Sequence, residues 1–138
     1  MIQWDAKYET GIKTIDDQHK ELLRIIGNLS DLLTNAQNGD DIYDEMVSII
    51  SALTTYTVYH FKYEEDLFYK FNYALTDIHI EEHVKLVDQI KELDLKNLDE
   101  DAIDFGKKIL KFLISWLFKH ISGSDFLYRD LFIENNVK

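Results

Sequence analysis

The sequence predicts an all-α fold, an antiparallel up-and-down four-helix bundle with an irregular N-terminal arm and a short C-terminal segment. Three observations carry that reading. No proline stands anywhere in the chain. Four long stretches repeat apolar residues with the helical period, and the breaks between them are short and polar. A short connection leaves a helix little choice but to return alongside its predecessor. The 138 residues, 46% of them hydrophobic, have the size and composition of a single domain over 1–138 with a buried core.

Residues 1–14 read as an irregular arm whose Trp4, Tyr8 and Ile12 pack against the bundle. The first helix runs from about Asp16 to Gln37, with its apolar stripe through Leu22, Leu23, Ile26, Leu29 and Leu33, and stops at the NGDD turn. The second runs from about Asp41 to Phe71, with Met46, Ile49, Ile50, Leu53, Leu67 and Phe71 on one face. The third begins after Thr76, read as an N-cap, and continues through Leu86, Val87, Ile90 and Leu93. The fourth runs from about Asp99 through Ile103, Ile109, Leu113, Trp116 and Leu117. Its acidic start, DEDAID, complements the helix dipole. The closing stretch, DFLYRDLFIENNVK, suits a short helix or a turn.

Composition removes several function classes. Without cysteine there are no disulfides, thiolate zinc sites, iron–sulfur clusters or thiol nucleophiles. The start, MIQWDAKYET, is acidic and polar where a secretory signal needs a basic and then an apolar run, so a cytoplasmic location is expected. The longest apolar stretch, ILKFLISWLF, contains Lys111 and is too short to cross a bilayer. A net charge of −11 repels nucleic acid and anionic lipid, so neither is expected as a partner.

The five histidines are the most informative residues. His19 falls on the stripe that holds Leu22 and Ile26; His60 lies between Leu53 and Leu67 on the second stripe. His79 and His83 continue the stripe of Leu86 and Ile90, and His120 follows Trp116 by one turn. Glu64 shares the face of His60, whereas Glu65 is turned away by roughly 100°. All five imidazoles and one carboxylate therefore point into one core. Burying them without partners costs on the order of several kcal/mol, against about 5–15 for the stability of a whole domain. A metal centre offsets that cost. Asp125, five residues after His120, is off-face in a regular helix; a π-type widening near Gly123 would turn it inward, and without one it is an exposed residue past a helix end.

The segment HIEEH, residues 79–83, also fits the H-x-x-E-H pattern of the inverted zincins. Two histidines four apart on a helix sit roughly 40° apart around the axis and can face one ion, which speaks for metal and not for hydrolysis. A mononuclear zinc site would leave three histidines and Glu64 unexplained, and Glu82 is expected on the solvated flank.

These residues resemble the hemerythrins, specifically the single-domain bacterial ones. The resemblance lies in His19 of IDDQH, His60 and Glu64 of HFKYEE, His79 and His83 of HIEEH, and His120 with Asp125 of WLFKHISGSD. Trp4, Tyr8 and Gly11 resemble the family's N-terminal arm, while Ala74 and Leu86 stand where the family often has a proline and an aromatic. The resemblance implies two iron ions. His79, His83 and His120 would bind one, and His19 and His60 the other. Glu64 and Asp125 would bridge both, beside an oxo or hydroxo bridge.

On that ligand set the donors number about eleven against roughly twelve positions on two octahedral ions. The one open position falls on the side of His19 and His60 and suits dioxygen. Mostly neutral imidazole ligands favour ferrous iron more than the carboxylate-rich shells of ferritin-like di-iron proteins do. Leu23, Ile26, Phe61, Leu86, Trp116 and Leu117 are the expected apolar wall that excludes water. Tyr128 is a candidate hydrogen-bond donor near the site, or else exposed. The function expected is reversible dioxygen binding for storage, delivery or buffering, and not catalysis. An oxygen or redox sensor, and a di-iron enzyme consuming oxygen, peroxide or nitric oxide, are the alternatives. The protein partner is open.

Overall fold

The computed structural model describes residues 3–37, 40–93 and 98–138, with side chains of residues 98–101 outside the description. Four long helices form the body: α1 (Lys13–Asn35), α2 (Tyr43–Lys70), α3 (Thr76–Lys91) and α4 (Leu98–Ser122). Two short helices, α5 (Ser124–Leu127) and α6 (Arg129–Glu134), close the chain, and a 3₁₀ turn (Ala6–Tyr8) interrupts the arm. Helix α1 packs on α2 and α4, and α2 packs on α3. At one end Gly106 of α4 faces Leu33 of α1 and Met46 of α2, where a Cβ would lie 2.7 and 2.9 Å from them. The start of α4 therefore meets the end of α1 and the start of α2, as in an antiparallel up-and-down bundle. No helix among the described residues is long and apolar enough to cross a membrane.

The arm is held by one carboxylate. Asp16 Oδ1 accepts from the Thr10 backbone N–H at 2.9 Å and from Thr10 Oγ1 at 2.8 Å, and Oδ2 accepts from the Gly11 N–H at 3.2 Å. Gly11, at φ 84°, adopts the left-handed conformation that the turn into α1 requires. Tyr8 then stacks on Phe118 with ring centroids 4.6 Å apart, and Trp4 also packs against the core, while Ile12 is fully buried.

Helix ends follow local chemistry. Helix α2 stops in a Schellman motif, with Asn72 at φ 52° and the Tyr73 N–H bonding Phe68 O at 2.9 Å. Asparagine tolerates that conformation better than most residues. Thr76 is the first residue of α3 and not its cap: Leu75 holds the cap position without a side-chain bond, and Thr76 Oγ1 donates to Tyr73 O at 2.6 Å. Helix α1 ends at Asn35, before the expected NGDD stop, of which Asn38 and Gly39 lie outside the described residues. In the acidic start of α4, the side chains of Asp99, Glu100 and Asp101 are likewise outside them.

The second stripe needs correction. Its buried residues are Met46, Ile50, Leu53, Thr57, His60, Phe61, Glu64 and Phe68, whereas Ile49, Leu67 and Phe71 are only partly buried. Counting in sevens loses roughly 20° per step against the 3.6-residue turn, enough over the three steps from Met46 to Leu67 to move the centre of the stripe to Phe68. Apolar packing consequently divides in two. The bundle core runs from Leu22 to Ile121, and a second cluster gathers Ile12, Ile15, Phe68, Tyr73, Tyr128 and Phe132.

Candidate metal centre

Between these two clusters lie seven buried polar residues: His19, His60, Glu64, His79, His83, His120 and Asp125, none more than 5% exposed. Their ligand atoms form two overlapping groups, each with all atoms within 4.8 Å of one another. Glu64, His79, His83, His120 and Asp125 make one; His19, His60, Glu64 and Asp125 make the other. Only the carboxylates belong to both. All seven residues singled out by the sequence thus meet at one place, drawn from all four long helices and α5.

Asp125 arrives there by a route other than the π-type turn expected. Helix α4 ends at Ser122, Gly123 turns the chain at φ −104° and ψ −85°, and α5 restarts the helix at Ser124. This break rotates Asp125 inward until it is fully buried. Gly123 is required by contact: a Cβ there would sit 2.9 Å from the Lys119 carbonyl.

The inner atoms approach closely. His19 Nε2 lies 2.9 Å from Asp125 Oδ2, His79 Nε2 2.9 Å and His120 Nε2 3.0 Å from Asp125 Oδ1, and His60 Nε2 3.1 Å and His83 Nε2 3.4 Å from Glu64 Oε1. Yet both oxygens of Glu64, both of Asp125, and Nε2 of His19 and His83 are buried without a hydrogen bond. Polar atoms in such surroundings are rarely left unsatisfied. Apart from His79 Nε2 and His120 Nε2, which lie 3.2 Å apart in hydrogen-bond geometry, these donor atoms converge without a shared proton, as they would around a cation. Imidazole and carboxylate together suit iron, manganese or zinc.

The outer nitrogens support the same conclusion. His60 Nδ1 donates to Gln18 Oε1 at 2.6 Å, His83 Nδ1 to Glu65 Oε2 at 2.8 Å, and His120 Nδ1 to Glu82 Oε2 at 2.9 Å. With Nδ1–H held by an outer acceptor, Nε2 is the nitrogen left to give its lone pair to an inner cation, which is how metal-binding histidines are oriented. The geometry follows a rule across the bundle. Gln18 neighbours His19 on α1 and serves α2; Glu65 neighbours Glu64 on α2 and serves α3; Glu82 neighbours His83 on α3 and serves α4. A turn of roughly 100° from an inward residue points along the flank towards the adjacent helix. Glu65 and Glu82 therefore do not face away, as the sequence suggested. The available signal was the need of each ligand for an outer acceptor, read together with the polar residue beside each inward one.

Burial opposes ionisation of Glu64 and Asp125, yet the facing histidines hold both carboxyls well below the usual range. Burial also opposes charge on His120, but Asp125 and Glu82 outweigh it and push it up to about 10. His83 is raised too, against burial, by Glu64 and Glu65. His60 goes the other way, lowered because burial dominates. Tyr128 is fully buried, with no hydrogen bond to its hydroxyl, and burial with the charges of Asp125 and Glu64 raises its pKa.

Next to the site lies a cavity of about 20 Å³ lined by Leu22, Ile26, Leu53, Thr57, Phe61, Leu86, Ile90, Leu113, Trp116 and Leu117. Five of the six expected wall residues border it. Leu23 does not; it is buried elsewhere in the bundle core. Thr57 is the one polar side chain on the wall.

Residues 10–131 match the Hemerythrin HHE cation binding domain. The chain is 31% identical over 130 residues to a bacteriohemerythrin of Clostridium acetobutylicum, covering 94% of this chain and 100% of that one. It is 33% identical over 128 residues to a hemerythrin-like protein of Naegleria gruberi, covering 93% and 91% of the two chains. It is 31% identical over 129 residues to a bacteriohemerythrin of Pseudomonas aeruginosa, covering 94% and 80%. With a four-helix bundle, a cluster of histidine, glutamate and aspartate able to hold metal, and a match over most of its length, the chain belongs to the hemerythrin family.

Proposed function

We propose that this protein binds dioxygen reversibly at a pair of iron ions, for storage, delivery or buffering rather than for turnover. The observation that carries the reading is the pair of overlapping donor groups, which share Glu64 and Asp125 and hold three histidines in one and two others in the second. His79, His83 and His120 would hold one ion, His19 and His60 the other, and the two carboxylates both. When bound, the iron pair supplies the electrons that dioxygen takes up on binding and returns on release.

The protein's own residues support reversibility in three ways. Five neutral imidazoles against two carboxylates keep the shell low in negative charge, which favours the ferrous state. The Nδ1 bonds to Gln18, Glu65 and Glu82 fix three of the rings, so the site needs little rearrangement between its states. The apolar wall of Ile26, Phe61, Leu86 and Leu117 gives a gas molecule a dry place and keeps water and stray protons out. The cavity, about 20 Å³, is lined by apolar side chains apart from Thr57, and cavities so lined stay dry.

The test is metal analysis of the purified protein, with absorption spectra recorded reduced, under air, and again under nitrogen. Two irons per chain and a spectrum that alternates with the gas are expected. Sustained oxygen consumption in the presence of a reductant would overturn reversible binding in favour of an enzyme. Iron content unchanged in both His60→Ala and Glu64→Ala would overturn the ligand assignment.

A further inference from the structure

We propose that Gln18, Glu65 and Glu82 make the two metal positions unequal. Glu65 and Glu82 tighten the position of His79, His83 and His120, whereas neutral Gln18 leaves the position of His19 and His60 weaker and the last to fill. The proposal rests on the two-ion reading above and deepens it.

The inequality is built from the outer partners of the histidines. On one side, two of three imidazoles donate Nδ1–H to carboxylates, His83 to Glu65 at 2.8 Å and His120 to Glu82 at 2.9 Å. On the other, His60 donates to an amide oxygen, Gln18 at 2.6 Å, and His19 Nδ1 is buried without a partner. A carboxylate on Nδ1–H pushes electron density towards Nε2 and makes the imidazole a stronger donor than an amide does.

Exposure explains why each partner has its charge. The Glu65 and Glu82 side chains are 27% and 39% exposed, so a carboxylate at either position carries only a modest desolvation cost. Glu82 lines a groove of about 430 Å³ open to solvent between α3 and α4, where Ser124 Oγ also donates to it at 2.6 Å. Gln18 is only 5% exposed, and a carboxylate at that depth would be costly. The inequality is therefore set by how deep each flank residue sits. Three histidines against two push in the same direction, so the order of filling alone does not isolate the outer partners. Variants that change only their charge do.

The experiment titrates the full, metal-stripped chain with zinc ion, a redox-silent probe, and follows the histidine nitrogens by NMR. The first equivalent is expected to shift Nε2 of His79, His83 and His120, and the second those of His19 and His60. Glu65→Gln with Glu82→Gln keeps an oxygen acceptor on each Nδ1–H and removes only the charges. That double variant is expected to weaken the first step by about 10–100-fold and the second by no more than about twofold. Gln18→Ala is expected to weaken the second step alone, by about tenfold. Reversed filling, or a first step within about twofold of the parent in the double variant, would overturn the proposal. Saturation at one zinc per chain would overturn the two-ion reading itself.

Discussion

His19 Nε2 lies 2.9 Å from Asp125 Oδ2, which joins the second turn of α1 to a four-residue helix near the other end of the chain. The same carboxylate reaches His79 and His120 through its other oxygen, at 2.9 and 3.0 Å. One aspartate therefore ties α1, α3 and α4 together, and it reaches them only because the chain breaks and restarts at Gly123.

Gly123→Ala tests that dependence. The added Cβ would sit 2.9 Å from the Lys119 carbonyl, and backbone must move to admit it. A stability loss of about 1–3 kcal/mol is expected, read by thermal denaturation of the metal-stripped protein. Iron content should fall by a larger factor than the folded fraction, because the movement displaces Asp125. An iron content that tracks folding alone would show that Asp125 does not depend on the break.

Asp16→Ala should release the arm and spare the site. It removes the acceptor of three donors from Thr10 and Gly11. A cost of about 1–3 kcal/mol is expected, with faster tryptic cleavage at Lys7 and Lys13 and unchanged metal content. Protease resistance equal to the parent's would mean that Tyr8 and Trp4 hold the arm without Asp16.

Leu86→Ala enlarges the apolar cavity beside the histidines. Leu86 is 4% exposed, and its truncation should cost about 2–5 kcal/mol. Water admitted to the enlarged space should hasten irreversible oxidation of the oxygen-loaded protein, followed as decay of its spectrum under air. A decay rate equal to the parent's would separate the cavity from protection of the bound gas.

The pH dependence of the metal-stripped protein has two limbs. His120, raised to about 10 from 6.5, contributes stability that is fully present below pH 6.5 and is lost as pH rises through about 10. Glu82, lowered to about 2 from 4.5, contributes stability present above pH 4.5 and lost as pH falls through about 2. His60, lowered by burial, adds to the acid limb, since the unfolded chain binds its proton more readily. Thermal melts from about pH 2 to pH 11 should show both limbs, and Glu82→Gln should flatten the alkaline one. An alkaline limb unchanged in that variant would show that Glu82 does not hold the His120 proton.

Periodicity determined a great deal. It placed four helices, put His19, His60, Glu64, His79, His83 and His120 on inward faces, and supplied a physical ground for a metal in the cost of burying them together. Those properties are local: a side chain's face depends on its position in a 3.6-residue turn, and the apolar residues around it declare which face is inside. Three features were decided by tertiary structure alone. Asp125 enters through a break that spacing does not reveal, because Gly123 changes the direction of the chain. Phe68 and not Leu67 anchors the second stripe, because a small angular error grows with each turn. Glu65 and Glu82 become partners of histidines one helix away, since a flank is solvent or neighbour according to where the next helix lies, and that is fixed only when the bundle closes.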